Sequence, residues 1–161
     1  VWEHNTHIGD ARYTDMVRHG MYNTGQLARE YFGDTDTVLV GFGSYIGTVI
    51  AGSRWGAPMK VMTMPGARDD SIEDLLHKES PQNSLLIFIP PGKNEAVPKP
   101  IPHRAIGVVY NPENERYGNY VPTIFNRRYD AFIYIDVTTA LHPLHIKPDG
   151  GQMPETYPFN F

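Results

Sequence analysis

Ala131-Phe132-Ile133-Tyr134-Ile135-Asp136-Val137 decides the fold class. Aromatic and β-branched residues fill this run, and its apolar character is nearly continuous. That pattern suits a strand buried on both faces better than one that alternates between core and water. Four further runs read the same way: residues 37–42 (TVLVGF), 58–64, 85–89 and 105–110. Two helices lie between them. Thr24–Phe32 carries Leu27 and Tyr31 four apart, with Gly33 as a C-terminal stop. Residues 71–78 open on Ser71 with Asp74 three positions on, a capping-box arrangement, and then show an apolar stripe of Ile72, Leu75 and Leu76. A third helix is expected over residues 10–19. Fewer helices than strands predicts an α/β fold, a layered mixed β-sheet flanked by helices, with the strands near Leu39, Ile87, Val108 and Ile133 in one central sheet.

The segments between these elements are read as loops. Pro90-Pro91 and Pro98-Lys99-Pro100-Ile101-Pro102 bracket a stretch where proline removes backbone donors and restricts its predecessors, so irregular structure is expected there. Residues 111–126 read as a surface excursion, and residues 148–161 as a turn-rich, aromatic tail lying along the surface. The length of 161 residues fits one domain. With 40% hydrophobic and 20% charged residues the composition is that of a globular protein. A formal net charge of −4 disfavours nucleic acid as a partner, and no apolar run approaches the ~20 residues of a membrane helix. Cysteine is absent, which excludes disulfides, thiolate metal sites and a cysteine nucleophile, and leans toward a cytoplasmic setting.

The chemistry-bearing stretch is Glu3-His4-Asn5-Thr6-His7, where two imidazoles, a carboxylate and a carboxamide fall within five positions. Imidazole titrates nearest neutrality, so His4 and His7 are the candidate catalytic residues. A metal pair and a purely structural pair remain alternatives, since a zinc site wants a third ligand and usually the i, i+4 helical spacing. Val1-Trp2 reads as the end of a strand, which would put both rings at a strand exit, facing one concave pocket. With so little before it, the chain reads as the back portion of a larger protein.

Other motifs are less pointed. Gly41-x-Gly43 follows a strand, but Ile46 stands where a dinucleotide loop wants glycine, and strand-forming residues follow. Close packing or a hairpin turn is the better reading of these glycines. Arg68, between a strand end and a helix start, suits an anion, although Asp69 and Asp70 favour that helix start themselves. The remaining histidines, 19, 77, 103, 142 and 145, are scattered. No Gly-x-Ser-x-Gly elbow is present.

Taken in order, several segments resemble the erythromycin esterase family, which includes succinoglycan biosynthesis proteins. They are residues 2–10 (WEHNTHIGD), Gly25-Gln26-Leu27 with Gly41-Phe42-Gly43, residues 47–51, Ala67-Arg68 with Ser71-Ile72-Glu73, residues 104–110, residues 129–136, and the closing residues 154–159 (PETYPF). The resemblance implies hydrolysis of a macrolide lactone or related carboxylic ester by activated water, in a cleft to which His4, Asn5 and His7 contribute. It implies that the principal histidine base and its acids come from an N-terminal half of the same protein, so that these 161 residues alone would be inactive. Glu3, Asn5 and Arg68 are then the expected substrate contacts. No cofactor is expected, with dependence on a divalent metal left open. One departure is Gly118-Asn119-Tyr120, where many relatives carry Ser-His-Tyr. The alternative from another class is a non-catalytic binding or polysaccharide-biosynthesis-associated domain that keeps the cleft.

Overall fold

The computed structural model describes residues 1–90 and 95–142. His145, the tail and the closing motif lie outside those residues. Among the described residues six strands form two sheets. Strands β1 (Val40–Ala51), β2 (Lys60–Met64), β3 (Ser84–Ile87) and β6 (Ala131–Thr138) form the larger, in the order β2-β1-β6-β3. Strands β4 (Ile101–Arg104) and β5 (Tyr120–Thr123) pair in the smaller. The larger sheet is mixed: β6 runs parallel to β1, while β2 and β3 are antiparallel to their neighbours. The α/β class therefore holds, and β6 is an inner strand.

Strand β1 is continuous through Gly41 and Gly43, so the hairpin expected there is absent. Close packing is what these glycines provide. A Cβ at Gly41 would lie 2.7 Å from the Tyr129 ring, and one at Gly43 would lie 2.6 Å from the Phe132 ring. Near Gly47, at φ 141°, β1 changes partner, from β6 on residues 40–47 to β2 on residues 47–51.

The helices follow local chemistry. Helix α2 (Thr24–Phe32) begins where the Asn23 side chain accepts from the Gln26 amide and ends at Gly33. Helix α3 (Ile72–Glu79) is capped by Ser71, whose hydroxyl accepts from the Asp74 amide at 3.3 Å. The Asp74 carboxylate takes the Asp70 amide and Lys78 instead of closing a reciprocal box. Residues 10–19 are two short 3₁₀ turns, Ala11–Tyr13 and Asp15–His19. Thr14 between them is extended and bridges Thr123, which interrupts the expected helix. Val1-Trp2 is no strand. The chain enters instead through a single turn, α1 (Asn5–Ile8).

Three loop and strand expectations are corrected. Pro102 sits inside β4, opposite Pro122 of β5, a ladder position that needs no amide from either residue. Residues 105–110 touch the sheet through one bridge, with Gly52 and Tyr110 donating backbone N–H groups to Val108 and Gly52 at 2.9 Å each. Val108 is accordingly 69% exposed and no member of a central strand. Residues 111–126 fold into a 3₁₀ turn, α4 (Glu115–Gly118), β5 and the start of α5 (Phe125–Arg128), with Glu115 and Thr123 buried.

The main core packs Tyr129, Phe132 and Tyr134 against Ile8, Leu76, Leu86, Phe88 and Phe125. Buried ion pairs lock the layers. Arg29 of α2 bridges Asp10 at 3.1 Å and Asp130 at 2.9 Å, and Asp130 accepts the Leu39 amide, tying α2 to the starts of β1 and β6. Arg104 of β4 donates to the carbonyls of Ser44, Tyr45 and Pro65 and pairs with Glu115 at 2.8 Å. No helix among the described residues is long and apolar enough to cross a membrane.

Candidate functional site

Turn α1 lies across the upper part of β1, where β2 does not reach. The two are joined by Asn5, whose carboxamide oxygen accepts the Phe42 amide at 3.0 Å while its nitrogen donates to the Phe42 carbonyl. Asn5 thus occupies the edge of β1 as a short neighbouring strand would. Beside it opens a cleft of about 330 Å³ whose lining includes Glu3, His4, Asn5, Ser44, Glu73 and Ile106.

His4 is the N-cap of α1. Its Nδ1 accepts from the Thr6 amide at 3.3 Å and contacts the Thr6 hydroxyl at 2.8 Å. Its Nε2 meets the Ile106 carbonyl at 2.6 Å, which fixes the ring proton on Nε2. Burial draws the imidazole below its usual value of 6.5. The Ile106 bond opposes this, and His7, Arg128 and His103 add to the lowering. At neutral pH His4 is therefore a neutral N–H donor on the cleft wall.

His7 lies edge-on to His4, with ring centroids 6.3 Å apart, but it is exposed and outside the residues lining the cleft. Glu3 is on the cleft wall and exposed. The Asn5 carboxamide is engaged with the protein's own backbone. Arg68 lines a different cavity, of about 240 Å³, where its amide donates to the Tyr120 hydroxyl and its guanidinium lies over the Tyr120 ring. The structure thus gathers Glu3, His4 and Asn5 at one cleft and leaves His7 and Arg68 apart from it. Among the described residues no group of three or more His, Asp or Glu side chains is arranged to hold a metal ion.

Beneath the cleft lies a pair that the sequence did not announce. Glu73 and His103 are both fully buried, with His103 Nδ1 2.6 Å from Glu73 Oε1. The Arg104 amide is 3.2 Å from each carboxylate oxygen. Burial alone would raise the Glu73 carboxyl, but the imidazole beside it and the backbone donors outweigh that and hold it below the ordinary value. Phe125, Tyr129 and Phe132 surround the His103 ring. A sequence signal for Glu73 existed: it follows Ile72 and precedes Leu76 on the inward side of α3. For His103, in a proline-rich stretch, there was none.

The sequence model of the erythromycin esterase family matches residues 1–138. Among solved structures, a succinoglycan biosynthesis protein superposes with a TM-score of 0.65 at 23% identity, over 86% of this chain and 33% of its own. A protein from Bacillus cereus superposes with a TM-score of 0.66 at 18% identity, over the same shares. At those identities the likeness is one of fold. The chain spans about a third of the length of either structure.

Proposed function

Because this chain belongs to the erythromycin esterase family, we propose that it supplies one wall of a cleft hydrolysing a macrolide lactone or related carboxylic ester. The water-activating base, in this reading, comes from polypeptide outside these residues. The observation that carries it is the neutral His4 ring, whose Nε2–H is aimed across the cleft wall at the Ile106 carbonyl. An ester carbonyl oxygen taking the place of Ile106 would receive that hydrogen bond. Attack by water then builds negative charge on the same oxygen, and a positioned donor stabilises it. Collapse breaks the ester C–O bond, leaving a carboxylic acid and an alcohol. His7, exposed beside His4, would exchange protons with solvent. Glu3 would contact the substrate from the rim.

A second reading has a specific observation behind it: both ring nitrogens of His4 are already engaged within the chain. That favours a domain that binds an ester or a saccharide without turnover. The test is a hydrolysis screen over macrolides and simple esters, with and without chelator, using the protein in its longer polypeptide. Turnover that falls about 10²-fold in His4→Ala and His7→Ala variants supports the catalytic pair. Ligand binding without product supports the second reading. Unchanged turnover in both variants removes the histidines from the chemistry, and loss with chelator would bring a metal into it.

A further inference from the structure

We infer that Glu73, acting through His103, is a positioning residue that holds Asn5 on β1 and thereby sets the place of His4 in the cleft. This role goes beyond the hydrolase reading, since it stands whether the cleft turns over an ester or only binds one. Phe42 fixes the orientation of the Asn5 carboxamide: its N–H requires the oxygen and its carbonyl requires the nitrogen. The second hydrogen on the Asn5 nitrogen is left facing His103 Nε2, 3.5 Å away. The buried Tyr129 hydroxyl, 3.2 Å from the same Nε2, can donate to it as well. The Asn5 N–H can only donate, so it is met there by a lone pair on the ring nitrogen.

Glu73 secures that lone pair. A carboxylate against Nδ1 takes the ring N–H on that side, which leaves Nε2 to accept from Asn5. A proton on Nε2 would find the Tyr129 hydroxyl as acceptor but would set an N–H against the Asn5 amide in a pocket closed to water, and Asn5 would have to shift. Asn5 immediately follows His4, and its own carbonyl is gripped by Arg128 at 2.9 Å. A shift of Asn5 therefore moves the turn that aims His4 at Ile106. Four elements, α1, β1, α3 and β4, meet in this one network.

The bland alternative is a satisfied core histidine that stabilises the fold and nothing else. The two readings part in what they do to individual exchangeable protons. The experiment uses the 161-residue chain, imidazole nitrogen NMR and native-state amide exchange. In the wild type His103 is expected to hold its proton on Nδ1. Glu73→Met, similar in volume but unable to accept, is expected to speed exchange of the Phe42 amide and the His4 Nε2–H by about tenfold or more. The β1 amides that bond to β6 should stay protected. Glu73→Gln, which can still accept the Nδ1 proton, should restore Phe42. Phe125→Leu, which loosens the aromatic box without touching the polar chain, should leave the Phe42 amide in step with its neighbours. A Phe42 amide that exchanges no differently from the rest of β1 in Glu73→Met overturns the inference. So does a wild-type His103 with its proton on Nε2, a result that decides the matter even if Glu73→Met does not fold.

Discussion

On one face of β6, Phe132, Tyr134 and Asp136 are buried beneath α3 and the ring cluster. On the other, Ile133 and Ile135 are half covered and Val137 is 63% exposed. Strand β3 repeats the contrast, with Leu85 and Ile87 exposed on the same side as Ile133 and Ala131. Apart from Asp136 and Thr138, both faces are apolar or aromatic in sequence. What separates them is the covering layer: one face receives α3, α5 and β4 with their buried carboxylates and arginines, and the other, among the described residues, is covered only around the cleft. A continuous apolar run reports that a strand suits a two-sided core, and it is silent on whether both sides are covered.

The largest effect should come from the covered face. Phe132→Ala removes a ring with no exposure that contacts Tyr129, Phe125 and His103, and should cost about 3–5 kcal/mol of stability. Val137→Ala on the open face should stay within about 0.5 kcal/mol. Urea denaturation of both variants checks this. Equal losses would mean that the two faces are equally packed and that the contrast is false.

Next comes Gly43→Ala. The new Cβ would meet the Phe132 ring at 2.6 Å and Glu73 Oε1 at 3.3 Å, so the ring must shift in a filled core. Overpacking of this kind costs about 1–3 kcal/mol. The same substitution at Gly107, where a Cβ meets nothing within 4 Å, should cost far less. Thermal melts of the pair sharpen the comparison by asking whether β1 packs by shape or only by hydropathy.

Much of the scaffold was legible because local rules agreed with it. Ser71 and Gly33 mark helix ends through their own hydrogen bonding or backbone freedom, and α3 starts and α2 stops where they say. The inner strand β6 was legible from its β-branched and aromatic run. The failures share a cause, tertiary pairing that local sequence does not encode. Pro102 lies in a strand because Pro122 stands opposite it. Residues 105–110 look like a strand but bridge to the end of β1 only at Gly52. At the site, Glu3-His4-Asn5 could be singled out as a dense polar cluster. That Asn5 would serve the backbone of Phe42, and that Glu73 and His103, 30 residues apart, would meet below it, depends on four elements converging.

Acid should act on the two levels of the site in turn. His4 has a folded value below 6.5, so the unfolded chain binds the proton more readily. Its contribution to stability is present above 6.5 and is lost as pH falls through the lower folded value. Glu73 is held below its ordinary 4.5, so its contribution is present above 4.5 and is lost as pH falls further. Melting temperature against pH should therefore decline in two stages, the first of which disappears in His4→Gln. A first stage that survives in His4→Gln would place that titration at another group.

The smallest effect on stability, and a plain one on behaviour, is expected at the open face. Among the described residues strand β3 is one edge of the sheet, and Leu85 and Ile87 stand 62% and 73% exposed on it. An edge strand offers unpaired backbone groups, and a flat apolar side beside them invites pairing with another chain. Ile87→Lys places a charge at that edge without touching the ring cluster, so the unfolding free energy should move by less than about 0.5 kcal/mol. Self-association, followed by sedimentation over a range of concentration, should fall. If Ile87→Lys instead destabilises the monomer by as much as Gly43→Ala, then Ile87 is packed in solution and the open face is not open. If stability and association are both unchanged, association runs through another surface.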